Sequence, residues 1–365
     1  MLRVGVDSTK FRGIGDGSAA RVLEASAEHG LDGVFFRSMF ELSPALDPGE
    51  LAELAARAAE LGQHVESGVG KVNPFATPEA PEVRELGGGD YLHGMRLMIE
   101  AAAGIGITEL WTATANYQFR LSGLFTCDRF RTDAPWSEQL AATERFLRML
   151  APILRDNGVH LNLETHEEIT TFELVRLVEA VGPDVLGITF DSANVLVRCE
   201  DPIAAVRRAA PYVRATHLRD AALFFRPEGI ARILTPVGEG VIDWDQLLAP
   251  LLVPGRDGQP ERDLMLSVEG VVEETRGEMH LQIHDPRWQA GHPDLTVPET
   301  LEVIRLTTDY EARAAAGEAP DWAALHTDVG EAESLDFILR SADALRDTIA
   351  RLTAPNRIDN EGETR

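Results

Sequence analysis

Short apolar runs alternate with longer runs of helical period almost from one end of the chain to the other. The segments Leu2–Val6, Gly33–Phe36, His64–Val69, Glu109–Ala113, His160–Glu164, Gly187–Asp191, Ala215–Leu218 and Leu264–Glu269 read as eight strands. They are short and rich in Val, Ile, Leu and Phe, and most are bounded by turn residues. Between them lie helices. Leu51–Leu61 is a run of strong helix formers stopped by Gly62. Ser137–Asn157 stops at Gly158, and Thr170–Thr171 caps Phe172–Val181. Asp201-Pro202 opens a helix at Ile203, and Asp243 opens one at Trp244.

Strand–helix alternation of this kind builds a parallel sheet. Eight repeats fit a closed (β/α)8 TIM barrel better than an open doubly wound sheet. The first strand is followed by Asp7-Ser8-Thr9-Lys10, with Gly13, Gly15 and Gly17 further on, which lacks the order of a nucleotide-binding turn. One domain is expected over residues 1–352. It carries a late irregular insertion at 271–296, a C-terminal extension of two helices within 298–351 (near Pro298–Ala315 and Ala332–Arg351), and a disordered tail at 353–365.

Composition narrows the function. The chain has 34 basic and 60 acidic residues, a net charge of −26. Such a balance disfavours nucleic acid and anionic membranes as partners. Two cysteines, Cys127 and Cys199, make no disulfide framework. The N-terminus has no secretory apolar core, and no apolar run has the length of a membrane span. A cytoplasmic location is expected.

The ends of the last four strands carry the chemistry. Glu164 ends His160–Glu164, Asp191 ends Gly187–Asp191, His217 lies in Ala215–Leu218, and Glu269 ends Leu264–Glu269. A lone acid at a strand end is usually a cap or an ion-pair partner. Four on consecutive strands, at the barrel face where active sites form, point to one metal site. Three carboxylates and an imidazole suit Mn²⁺, with Mg²⁺ or Co²⁺ as alternatives.

With these residues the chain resembles the xylose-isomerase-like barrel superfamily, which includes sugar isomerases, epimerases and the apurinic endonuclease type. Thr216-His217-Leu218-Arg219-Asp220 is similar to its His-x-Lys/Arg-Asp strand. Pro236–Trp244 is similar to its Gly-x-Gly-x-x-Asp-aromatic segment. The resemblance runs from Leu2 to about Gly270 and implies a metal-dependent enzyme acting on a carbohydrate. It also implies that Glu164 and Glu269 both hold the metal and exchange protons beside a polarised carbonyl. An apurinic endonuclease would need further His ligands on the early strands, where Arg37, Glu66 and Asn116 stand instead.

The chain departs from the ketose epimerases at Asp191-Ser-Ala-Asn194, where they have Asp-x-x-His, and at Leu223, where they have Arg. Phe224-Phe225 reads as an aromatic wall for a bulky aglycone. This brings a second resemblance, to the catalytic α subunit of bacterial C-glycoside deglycosidases. It implies carbon–carbon cleavage of 3-oxo-C-glycosides and a small β-rich partner subunit. Other candidates are His166 as base or substrate contact, and Trp111, Asn116, Tyr117 and Arg219 as substrate contacts. Arg219 is expected to pair with Asp220. Glu66 and Lys71 end the third strand, and His280, His284 and His292 lie where they could close over the mouth. Homo-oligomerisation is expected from the fold type.

Overall fold

The computed structural model describes residues 2–11, 17–77, 80–115, 121, 123–252, 263–271 and 274–354. Asn116, Tyr117, Gly13, Gly15 and the tail from Pro355 lie outside the described residues.

The strands are β1 (Leu2–Asp7), β2 (Gly33–Phe36), β3 (His64–Gly68), β4 (Glu109–Thr112), β5 (His160–Glu164), β6 (Leu186–Asp191), β7 (Val213–Leu218), β8 (Asp220–Arg226), β9 (Gly229–Thr235), β10 (Leu264–Val268) and β11 (Met279–Leu281). Eight of them close a parallel barrel in the order β1-β10-β7-β6-β5-β4-β3-β2. This is the expected (β/α)8 barrel. Each predicted strand agrees with an observed one to within two residues at either end.

The period of two along each strand divides the barrel into two faces. Val4 and Val6, Leu161 and Leu163, and Leu264, Leu266 and Val268 join the apolar cluster under the helices. The intervening residues, Asp7, Asn162, Glu164, Ser267 and Glu269, fall on the barrel side and are buried there. Polar groups therefore concentrate inside, towards the C-terminal ends of the strands. Pairing sets their alignment. Between β6 and β7 the register moves from Ile188↔Val213 to Thr189↔Ala215, a bulge at Arg214 that brings His217 opposite Asp191.

The helices start and stop where the sequence supplies caps. Asp47 caps Pro48–Leu61, and Thr170 and Glu173 form a reciprocal capping box on Thr171–Val181. Asp201 caps Pro202–Ala209. The last helix, Glu331–Thr353, lies against β1 and β10, and its Ile338 joins the core cluster. It takes the covering place that a helix directly after β10 would hold in a minimal barrel. Among the described residues, no helix is long and apolar enough to cross a membrane.

A three-stranded antiparallel sheet, β11-β9-β8, is absent from the sequence expectation. The Asp220–Arg226 run has no alternation to mark it, because the hairpin is covered on both faces. The late insertion is also more regular than expected, holding β11 and a helix at Pro286–Ala290. β8 and β9 turn through Pro227-Glu228, and Gly229 at φ 142° lets β11 approach. A Cβ at Gly229 would stand 2.0 Å from the Leu281 carbonyl oxygen. Phe224 packs edge-on against Tyr310 and Trp322, within a cluster of their own. Neither Phe224 nor the exposed Phe225 lines the two cavities described below, where the pair was read as an aromatic wall.

The floor of the barrel is tight at Gly33. A Cβ there would lie 2.5 Å from the His64 carbonyl oxygen and 2.8 Å from Met265 Sδ. Gly33→Ala is expected to cost about 1–3 kcal/mol through overpacking, read as a lowered Tm in calorimetry. Gly104→Ala, which meets nothing within 4 Å, is the control expected to leave Tm unchanged or slightly raised.

Candidate metal centre

β5, β7 and the residue after β10 bring Glu164, His217 and Glu269 together. One ligand atom from each lies within 4.8 Å of the others, and all three residues are buried. His217 Nδ1 stands 3.3 Å from Glu164 Oε1 and 3.9 Å from Glu269 Oε2. Phe35 packs on the His217 ring at 4.4 Å between centroids. The Trp111 indole N–H donates to Glu164 Oε2 at 2.8 Å, so one carboxylate oxygen is held while the other faces His217.

Asp191, the fourth candidate ligand, stands beside this group rather than in it. Its Oδ1 accepts the backbone N–H groups of Ala193 and Asn194 at 2.8 and 2.9 Å. Its Oδ2 accepts Arg219 Nη2 at 2.7 Å. Arg219 bridges onward, with Nη1 3.0 Å from Glu269 Oε1. The expected Arg219–Asp220 pair does not form. Asp220 instead accepts N–H groups from Ala221, Gly238, Ile242 and the Trp244 indole, and so fixes the Pro236–Trp244 segment.

Further cations close the ring. Arg37 Nη2 lies 3.4 Å from Asp7 and 3.8 Å from Glu269. Burial would raise the Glu269 carboxyl, but Arg219, Lys10, His217 and Arg37 hold it down at about 2. Burial pushes Asp191 up to about 7, with repulsion from Glu269 and Glu164 working against the pull of Arg219. Burial would lower His217, yet Glu164, Glu269 and Asp7 raise it to about 9.

His166 lines the same cavity, which is about 370 Å³. Its ring sits between two carboxylates, Nε2 2.9 Å from Glu167 and Nδ1 2.5 Å from Glu168. Burial opposes its charge, but the two glutamates raise its pKa well above the usual value. The two carboxylates thus favour the protonated form of the ring. Lys10, Arg37, Lys71, Trp111 and Arg219 also line the cavity. One wall comes from Arg232 and Leu234 of β9 and Met279 of β11.

Sequence reasoning missed that wall and the roles of Asp7, Lys10 and Arg37. Asp7 ends β1, and Lys10 and Arg37 follow β1 and β2, whose ends carry no run of ligand residues. Glu66 is buried on β3, 3.4 Å from His64, and burial raises its pKa. His280 pairs with Glu278, and His284 sits in the turn before Pro286–Ala290. His292 is buried against Trp288 and Arg198 rather than over the mouth.

The donor set fits a divalent cation: two carboxylates and one imidazole nitrogen converge, with a third carboxylate on the adjoining strand end. Glu164, His217 and Glu269 would hold it, with Asp191 available once Arg219 turns aside.

A sequence model described as xylose isomerase-like TIM barrel matches residues 23–258. The 3-oxo-isoapionate decarboxylase of Pectobacterium atrosepticum is 27% identical over 232 residues, 62% of this chain and 70% of that protein. An uncharacterized Escherichia coli K12 protein, YihM, is 32% identical over 103 residues, 28% of this chain but only 32% of that protein's length. A D-psicose 3-epimerase structure, solved in the presence of D-fructose, superposes with a TM-score of 0.60 at 14% identity, covering 96% of this chain and 99% of that one. A xylose isomerase-like barrel from Mycobacterium smegmatis, in complex with magnesium, gives 0.55 at 16% identity, over 84% and 97% of the two chains. At these identities the solved structures speak for the fold alone. The family match spans most of the barrel, from the first helix to the segment before β10, and the chain belongs to the xylose isomerase-like TIM barrel family.

Proposed function

We propose that this protein is a divalent-metal-dependent enzyme that breaks a bond beside the carbonyl of a sugar-like substrate. The observation that carries this is the convergence of Glu164, His217 and Glu269 at the C-terminal mouth of the barrel. A bound divalent ion supplies polarisation of a substrate carbonyl. Mn²⁺ is the preferred ion, Mg²⁺ and Co²⁺ the alternatives.

The chain's own residues do the rest. Glu269, ionised within the ligand group, is placed to take a proton from the carbon beside the carbonyl. The C–H electron pair moves into an enolate. Glu164 or the His166 imidazolium returns a proton, and the face chosen decides between epimer and starting sugar. Trp111 orients Glu164, and Arg219 and Lys10 are placed to hold substrate oxygens. Asn116 remains a proposed substrate contact.

Decarboxylation of a 3-oxo sugar acid is a second reading. It rests on the similarity to 3-oxo-isoapionate decarboxylase and on Lys10, Arg37, Lys71 and Arg219 lining the cavity of an otherwise acidic chain. The same enolate would form by loss of CO₂, its C–C electron pair taking the place of the C–H pair. Cleavage of 3-oxo-C-glycosides, with a small β-rich partner subunit, shares only the barrel and the ligand set.

The test is incubation of the Mn²⁺-loaded protein in D₂O with free ketoses, 3-oxo sugar acids and 3-oxo-C-glycosides, read by NMR. Deuterium entering a ketose, and lost on EDTA treatment, supports the epimerase-like reading. CO₂ release or aglycone release selects the others. Bound metal with no turnover of any class would count against all three.

Three further outcomes are expected. Trp111→Phe removes the hydrogen bond to Glu164 and should weaken metal binding or turnover about 10- to 100-fold, measured by calorimetric titration and initial rates. His166→Ala should leave the metal affinity in place while lowering kcat. Metal binding should tighten from pH 6 to pH 8, because His217 and Asp191 must lose protons to serve as ligands. Titrations in buffers of different ionisation enthalpy would show the released protons, and a pH-independent affinity would contradict this ligand set.

A further inference from the structure

A second cavity of about 300 Å³ lies beside the first, and Glu167 and Met279 line both. Arg198 lines this second cavity from just beyond β6. It is 3% exposed, yet no carboxylate among the described residues forms an ion pair with it. Of the other buried arginines, Arg129, Arg219 and Arg276 each meet one.

Among the described residues, the one side-chain hydrogen bond of Arg198 runs from Nη1 to His292 Nε2, at 3.0 Å. His292 Nδ1 donates to the Trp288 carbonyl at 2.6 Å, which leaves Nε2 as the acceptor. Burial, with Arg198 and Arg129 nearby, drives the His292 pKa far down, so the ring is neutral. It orients the guanidinium without neutralising it. Arg198 Nε is buried with no partner.

Burying a charge without a counter-ion is costly, so such groups normally carry one. Two carboxylates border the cavity and neither serves. Glu167 is taken by His166, and Glu228 is exposed on the β8–β9 turn. The Gln282 amide lines the same cavity and makes no hydrogen bond to a described residue. A guanidinium and a side-chain amide lining one space offer the N–H donors that a carboxylate or a phosphate accepts.

We propose that this cavity is an anion-binding subsite, taking the carboxylate or phosphate group of a small metabolite on Arg198 and Gln282. It stands apart from the metal centre and does not rest on the function proposed above.

The test uses the full chain, with inorganic phosphate and malonate as probes, by calorimetry and thermal shift. Wild type should bind one or both, with a Tm that rises with anion concentration. Arg198→Met should bind at least 10-fold more weakly. Without anion its Tm should equal or exceed that of wild type, because the unpaired charge is gone. Arg198→Lys keeps the charge but not the fork, and should bind more weakly than wild type. Arg37→Met, which changes the metal cavity instead, should leave the anion effect intact, and Mn²⁺ affinity should be unchanged in the Arg198 variants. A phosphate response with no malonate response would identify a phosphate group, and the reverse a carboxylate. The proposal is overturned if neither probe binds wild type. It is equally overturned if Arg198→Met lowers Tm while anion binding persists, or if Arg37→Met alone removes the effect.

Discussion

Repulsion among carboxylates at one end of a closed barrel is the constraint on which this structure turns. Parallel pairing sets neighbouring strands about 4.8 Å apart, and closure of the barrel turns Glu164, Asp191 and Glu269 toward one mouth. The chain answers with Arg219 between two of them, Arg37 between Asp7 and Glu269, and a charged His217 facing Glu164. The unequal result, Glu269 kept ionised and Asp191 raised, reflects how closely each is surrounded by cations. A divalent ion would relieve the same repulsion more completely, because it brings two charges into the space between the ligands.

Much of this was legible from the chain alone. The barrel strands announced themselves because their outward residues must be apolar to meet the helices. Their inward ends stood out because Glu, Asp, His and Glu interrupt such runs. Helix ends were legible for local reasons, as at Asp47, Thr170 and Asp201, where a side chain caps its own helix.

What escaped depends on partners distant in sequence. The β8–β9 hairpin reads as a featureless apolar run because β11 pairs with one edge and helix Val297–Ala315 packs on it. Arg219 looked like the partner of Asp220, but it stands in the link between β7 and β8, and the two side chains take different partners. Arg219 meets Asp191 at the end of the neighbouring strand β6, while Asp220 fixes the Pro236–Trp244 segment. His166 sits between two glutamates that follow it directly, yet only the turn after β5 shows that both fold back onto its ring.

The hairpin and β11 enter the chain between and after barrel strands, and they wall the cavity without supplying any member of the converging ligand group. Chemistry and selectivity are thus written on different pieces of the polypeptide. Insertions, deletions or residue changes in Asp220–Thr235 and Met279–Leu281 can reshape what enters while the ligand geometry stays fixed by barrel register. A fold divided in this way can diversify its substrates by drift in one module and keep its reaction in the other.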